Sequence, residues 1–209
     1  MRIGIATLIL TTALLAGGTA AAAQRAGPGL QIAGALSAAP EDRREGATVL
    51  GYSPAGELVT LRAGTNELLC LADRPGDDRF HVACYHRSLE PYMRRGRELR
   101  AEGVESAESF RIRHEEADAG ALEMPQAPAA LYNLGGPLSI LDPATGKVDG
   151  GHWVWVVYTP WATEEGTGLP TTPQAPGAPW IMRPGTASSH IMIVQPREPE
   201  PETKPDAKP

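Results

Sequence analysis

The sequence predicts an α+β protein in which antiparallel β hairpins form one sheet or a sandwich, with one helix and long loops rich in glycine and proline. Short alternating segments flank turn sequences such as SPAG and DRPGDD, and only residues 88–103 have a clear helical pattern. The 23 glycines and 20 prolines predict that irregular backbone is abundant. Residues 40–195 are expected to form a single globular domain around one core.

The N-terminal segment has the features of a secretory signal. One basic residue, Arg2, precedes an apolar run and a small-residue stretch that ends in Ala21, Ala22 and Ala23. We therefore expect residues 1–23 to be cleaved and the protein to be exported, either to the periplasm or out of the cell. No later stretch approaches the roughly 20 apolar residues of a membrane helix. Residues 24–39 are expected to be a flexible leader, and residues 40–44 a single helical turn.

Two hairpins are predicted next, and the second contains the two cysteines of the chain. Residues 48–52 should pair with residues 57–62 across SPAG, a type I turn followed by a glycine bulge. In the second hairpin, counting inward from the turn places Cys70 opposite Cys84, where two β carbons are close enough for a disulfide. Export favours that bond. The alternative is a zinc site made of both cysteines with His81 and His86, whose spacing departs from the usual paired motifs.

The segment RSLEPYMRRGRELRAEG predicts the helix. Ser88 can cap its start, apolar residues recur at helical spacing, and Gly103 can end it. The charged residues 104–119 that follow are compatible with either a second helix or a strand within a loop.

The segment GGHWVWVVYTPW contains three of the four tryptophans. It reads as the second arm of a hairpin whose first arm is PLSIL. Because its two faces are both apolar, the strand is expected to be central and covered on both sides, with Trp153 and Trp155 in the core. A last strand, SSHIMIVQP, closes the domain.

His152 and His190 each stand at the start of one of these late strands. If the two strands were parallel neighbours, the histidines would share one end of the sheet and could bind a metal or transfer protons. Tyr158, Trp161 and Trp180 are candidates to line a pocket beside the loop of residues 162–187. The alternative is that each histidine satisfies a local hydrogen bond.

The leading interpretation is a non-enzymatic binding protein of the bacterial envelope or extracellular space with an unknown partner there. The net charge of −6 argues against nucleic acid as a partner. No catalytic motif is present, so no catalytic residue is assigned and no cofactor is expected. A metal-binding protein or hydrolase that uses His152 and His190 is the alternative. The charged proline tract of residues 196–209 is expected to be a disordered tail.

Overall fold

A computed structural model describes residues 26–196. The predicted signal peptide, residues 1–23, lies outside the described residues, as does the predicted tail beyond Pro196. Within residues 26–196, no helix is long and apolar enough to cross a membrane.

Eight strands form one sheet, which confirms the α+β class and selects the single sheet over the sandwich. The strands lie in the order β2-β1-β3-β4-β5-β6-β8-β7. All neighbours are antiparallel except β1 and β3, which run parallel. The strand bounds are β1 Thr48–Tyr52, β2 Leu58–Arg62, β3 Leu68–Leu71, β4 Arg79–His86, β5 Ala129–Pro137, β6 His152–Tyr158, β7 Trp180–Met182 and β8 His190–Val194.

Both early hairpins form as predicted. Strands β1 and β2 pair across the turn that begins at Ser53, where the N–H of Gly56 donates to the carbonyl of Ser53. Gly56 has a φ of 88°, which a glycine adopts without steric cost. In the second hairpin, Cys70 lies directly opposite Cys84 and the two form a disulfide.

The third hairpin uses a different first arm from the one predicted. Strand β6 pairs with β5, while the predicted arm, PLSIL, mainly forms a 3₁₀ turn at Leu138–Ile140. The turn that follows PLSIL does form, but only one β-bridge, between Leu141 and Val148, extends this turn into a hairpin. Gly150 and Gly151 then take φ values of 76° and 104°, which end that short ladder before β6 begins. No strand was predicted for the residues that form β5.

Four helices accompany the sheet: α1 Pro28–Leu36, α2 Glu90–Ala101, α3 Ser106–Asp118 and α4 Glu164–Thr167. Helix α2 is the predicted one, although a 3₁₀ turn precedes it and Leu89, not Ser88, takes the N-cap position. Residues 104–119, for which the sequence allowed either a second helix or a strand within a loop, contain helix α3. The predicted turn before β1 is a 3₁₀ turn at Glu41–Arg43.

Helix α1 corrects the expectation of a flexible leader, because it packs on the sheet as part of the fold. Ala35, Ala38 and Ala39 are almost fully buried. The side chain of Gln31 binds both backbone groups of Tyr52, donating to its carbonyl at 3.0 Å and accepting from its N–H at 2.7 Å. Small residues let the helix approach the sheet closely.

The two faces of the sheet carry separate cores. Helix α1 covers the face that presents Val49, Phe80, Val82, Leu134 and the disulfide. Helices α2 and α3 cover one end of the opposite face, where Tyr85, Leu131, Val156 and Tyr158 pack against residues such as Leu89, Tyr92 and Ala117. The other end of that second face carries no helix, and the histidines of the candidate site lie there.

Candidate ligand-binding site

Two histidines flank a glycine on three neighbouring strands. Gly135 of β5 pairs with His81 of β4 on one side and with His152 of β6 on the other. Residues in one such row project from the same face of a sheet. Since Gly135 has no side chain, the row contains a gap between the two imidazoles. A β carbon at Gly135 would lie 3.5 Å from Cδ2 of His81, which shows how closely that ring borders the gap.

This gap opens into a larger groove at the end of the sheet, with a volume of about 1700 Å³. We call it the cationic groove, because Arg44, Arg79 and Lys147 line it with the two histidines, and no aspartate or glutamate of the described residues does. The groove extends around this end of the sheet: Val154 lies on the same face as the two histidines, whereas Leu134 and Trp153 project from the opposite face, which α1 covers. The groove therefore combines positive charge with an apolar wall, in a chain whose net charge is −6.

Two of the three cations in the cationic groove have no hydrogen-bonded or ion-paired partner within residues 26–196, although Lys147 lies close enough to Asp142 for its charge to help lower the pKa of that carboxyl. The side chains of Arg79 and Lys147 are exposed and make no ion pair or hydrogen bond there. Arg44 differs, since it donates to the backbone carbonyls of Ser37 and Ala39. Arg95 of α2 differs as well, since it is paired with Glu116 at 2.8 Å. Arg79 and Lys147 can thus bind a ligand without breaking an existing contact.

Partial burial of the imidazole lowers the pKa of His81, and the positive charge of Arg100 lowers it further. The nearby Asp77 and a hydrogen bond with Asn133 oppose that shift. At neutral pH His81 is therefore a neutral ring that can donate or accept a hydrogen bond. Its backbone N–H donates to a carboxylate oxygen of Asp73 at 2.8 Å, which ties β4 to the preceding loop.

The structure separates the two histidines that the sequence had suggested might meet. Strands β6 and β8 are antiparallel, and His190 is opposite Tyr158, at the far end of β6 from His152. Six residues of strand correspond to about 20 Å, far too long for one metal ion to bridge. The expectation of a shared site rested on parallel strands and is wrong.

His190 and Tyr158 belong to the core around α2 and α3. Their ring centroids are 5.1 Å apart, and Tyr158 also contacts the ring of Tyr92. Nδ1 of His190 lies 2.7 Å from the carbonyl oxygen of Ser188. Burial lowers the pKa of His190 and raises that of Tyr158. For His190, the alternative of a local hydrogen bond is thus the one that the structure supports.

The predicted aromatic lining residues are also spread over the molecule. Trp161 is 60% exposed and lines a second cavity of about 580 Å³ beside Thr159 and Met124. Trp180 lies half-buried in the edge strand β7. Neither residue lines the cationic groove. Of the two tryptophans expected in the core, Trp153 packs against it, whereas Trp155 is 38% exposed because no helix covers its part of the sheet.

The alternative zinc site of Cys70, His81, Cys84 and His86 does not assemble. The disulfide uses both thiols. His81 and Cys84 are also three residues apart on β4, so their side chains project from opposite faces. Among the described residues there is no group of three or more histidines, cysteines, aspartates or glutamates that could hold a metal ion.

Sequence reasoning missed the groove residues Arg79, Asn133, Gly135 and Lys147. The alternation in RFHVACYH does place Arg79 and His81 on one face of their strand, which is a usable signal. No signal in the sequence joins them to Gly135 or His152, because those residues come from strands more than 50 residues further along.

Comparison of the chain with protein-family models, with curated proteins and with solved structures found no match.

Proposed function

We propose that this chain is an exported binding protein that holds an organic anion, such as a carboxylate, in the cationic groove and does not transform it. The observation that carries the proposal is the pair of cations, Arg79 and Lys147, which make no hydrogen bond or ion pair within residues 26–196, in a groove that no carboxylate of those residues lines. An anion there gains charge-assisted contacts, and the apolar side chain of Val154, on the same face as the two histidines, suits the organic part of the ligand.

The row of His81, Gly135 and His152 can orient the bound ligand. The imidazoles present ring nitrogens that form hydrogen bonds, and the gap at Gly135 leaves room for a ligand group between them. Asn133 adds an amide on the same face of β5. These groups favour a ligand that carries hydrogen-bonding atoms as well as charge.

Export is supported by the N-terminal signal pattern and by the disulfide between Cys70 and Cys84, which is typical of oxidising compartments. A periplasmic or extracellular location follows for the mature chain. Fractionation of cells that express the full chain, with the N-terminus of the product sequenced, tests this part of the proposal. Retention of residues 1–23 on a cytoplasmic product would contradict it.

Calorimetric titration with glutarate at low ionic strength tests the ligand class. We expect glutarate to bind and the neutral alcohol glycerol not to bind. Arg79→Gln and Lys147→Gln should each weaken glutarate about fivefold, as expected for loss of one exposed charge contact. Arg94→Gln is the matched control, because Arg94 is an equally exposed arginine on α2 that pairs with Glu98 instead.

Gly135→Ala tests the gap itself. The added β carbon makes an ordinary contact of 3.5 Å with His81, so the fold should be kept while the gap is filled. We expect weaker glutarate binding with an unchanged thermal unfolding midpoint. Glutarate binding that is the same in this variant and in the wild type would place the ligand elsewhere.

A further inference from the structure

The last described residues of the chain lie along the wall of the cationic groove. Gln195 and Pro196 both line the groove, and the N–H of Gln195 donates to the carbonyl of Trp153 at 3.1 Å. The following residues in the sequence include EPEPE at 198–202, which has three carboxylates and no cation. A stretch of negative charge thus begins two residues beyond a groove that contains free cations and no carboxylate.

We propose that the cationic groove binds residues 198–202 of this same chain through their glutamate carboxylates. The proposal rests on the proposed function, since it assumes that the groove accepts anions. It goes further by naming an acidic, proline-spaced peptide as the occupant and by making that segment an internal competitor of any free anionic ligand.

The dimensions of the segment and the groove agree. A proline-spaced peptide in the extended polyproline conformation advances about 3.1 Å per residue, so the ends of any five-residue stretch in that conformation are about 12 Å apart. On the protein side, His152 and His81 are separated by two strand spacings, about 10 Å. Five residues are therefore enough to cross the groove from the β6 side to the β4 side.

The positive charge of the groove favours binding of the acidic residues 198–202. Because this segment is covalently attached to the fold, a weak intrinsic affinity is enough to keep it bound. Arg79 and Lys147 are the free cations, whereas the carboxylates of Asp73 and Asp77 near His81 do not line the groove. A segment joined to its site by a short linker has an effective concentration of order millimolar. Even weak contacts would then keep the groove occupied when free ligand is scarce.

Zero-length carbodiimide cross-linking of the mature chain tests the contact directly. This reagent joins an amine to a carboxylate only where the two touch, and Lys147 is the only lysine before the segment, Lys204 and Lys208 being the others. We expect mass spectrometry to find Lys147 linked to Glu198, Glu200 or Glu202 within one chain, and the link to weaken at high salt. Lys147→Arg keeps the charge and should abolish the link.

A second measurement compares the wild-type chain with the triple variant E198Q/E200Q/E202Q. Removing the internal competitor should strengthen glutarate binding about tenfold, an effect of the size that tethering produces. Equal glutarate affinities with no Lys147 link would overturn the proposal and leave the proposed function standing. A link that joins two chains would also overturn it. No glutarate binding to either protein, with the link still present, would count against the proposed function alone.

Discussion

At the scale of single residues, Thr159 is an unusual case. Its hydroxyl oxygen is buried and has no hydrogen-bond partner within residues 26–196. We predict that Thr159→Val raises the free energy of unfolding by about 1 kcal/mol, because the hydroxyl is removed from a site where it is unsatisfied while the shape is kept. Urea denaturation measures the change.

Thr163→Val is the matched control for that substitution. The hydroxyl of Thr163 caps α4 by accepting from the N–H of Gly166 at 3.0 Å. Its removal should lower the free energy of unfolding by about 1 kcal/mol. Two identical chemical changes, four residues apart, are thus expected to have opposite signs. Destabilisation by both would mean that Thr159 does have a partner.

A second prediction at this scale concerns pH and His114. Burial, then the positive charges of Arg183 and Arg113, lower the pKa of His114 to about 4. The unfolded chain, with an ordinary histidine pKa near 6.5, binds a proton that the folded chain excludes between these values. The free energy of unfolding should therefore fall as pH drops from about 6.5 to 4, by on the order of 1 kcal/mol after allowance for partial exposure.

His114→Gln tests this dependence, since a neutral amide cannot titrate. The slope of unfolding free energy against pH should become shallower below pH 6.5 in the variant, measured by urea denaturation at several pH values. An unchanged slope would assign the effect to other groups, such as His190, whose pKa burial also lowers.

At the scale of elements, α1 provides the sharpest test of the fold. Gln31→Ala removes the side chain that binds both backbone groups of Tyr52 and leaves them without partners. We predict a loss of about 2 to 3 kcal/mol in the free energy of unfolding. Gln126→Ala is the control, because the exposed Gln126 donates only to the nearby carbonyl of Met124, and it should change stability by less than about 0.5 kcal/mol.

The elements that the sequence predicted well are those whose signals are local. The turns at SPAG and DRPGDD, with alternating arms, were enough to place four strands and to pair Cys70 with Cys84. Helix α1 was missed because its signal is not local. Glycine and alanine form it only because Gln31 and the sheet beneath it supply the stabilising contacts.

The candidate site was predicted only in part, for a related reason. His152 was singled out from its strand, but its partners depend on the register of β4, β5 and β6. The direction of β8 likewise decides where His190 lies, and antiparallel pairing takes it to the opposite end. The alternation within one strand predicts the face of the sheet on which a residue lies. Which residues of different strands lie close together depends on the order and direction of the strands, and alternation does not predict these.

At the scale of the whole molecule, the disulfide ties two central strands together inside the core. Cys70 and Cys84 are fully buried. We predict that the double variant C70S/C84S loses about 3 kcal/mol of unfolding free energy, since the bond closes a loop with a sequence separation of 14 residues. Denaturation with and without a reductant measures it, and reductant should leave the double variant unaffected. Peptide mapping that finds two free thiols in exported protein would contradict the bond.

The strand order also has a consequence for how copies of this protein meet one another. Within residues 26–196 the sheet is open, so no strand of that part of the chain lies beside the outer edge of β2 or of β7. Strand β7 has only three residues, which makes it a poor template for a foreign strand. The five-residue β2, with Leu58 exposed, is the better one. At high concentration, edge-to-edge aggregation should therefore begin at β2, and a lysine in place of Leu58 should delay it.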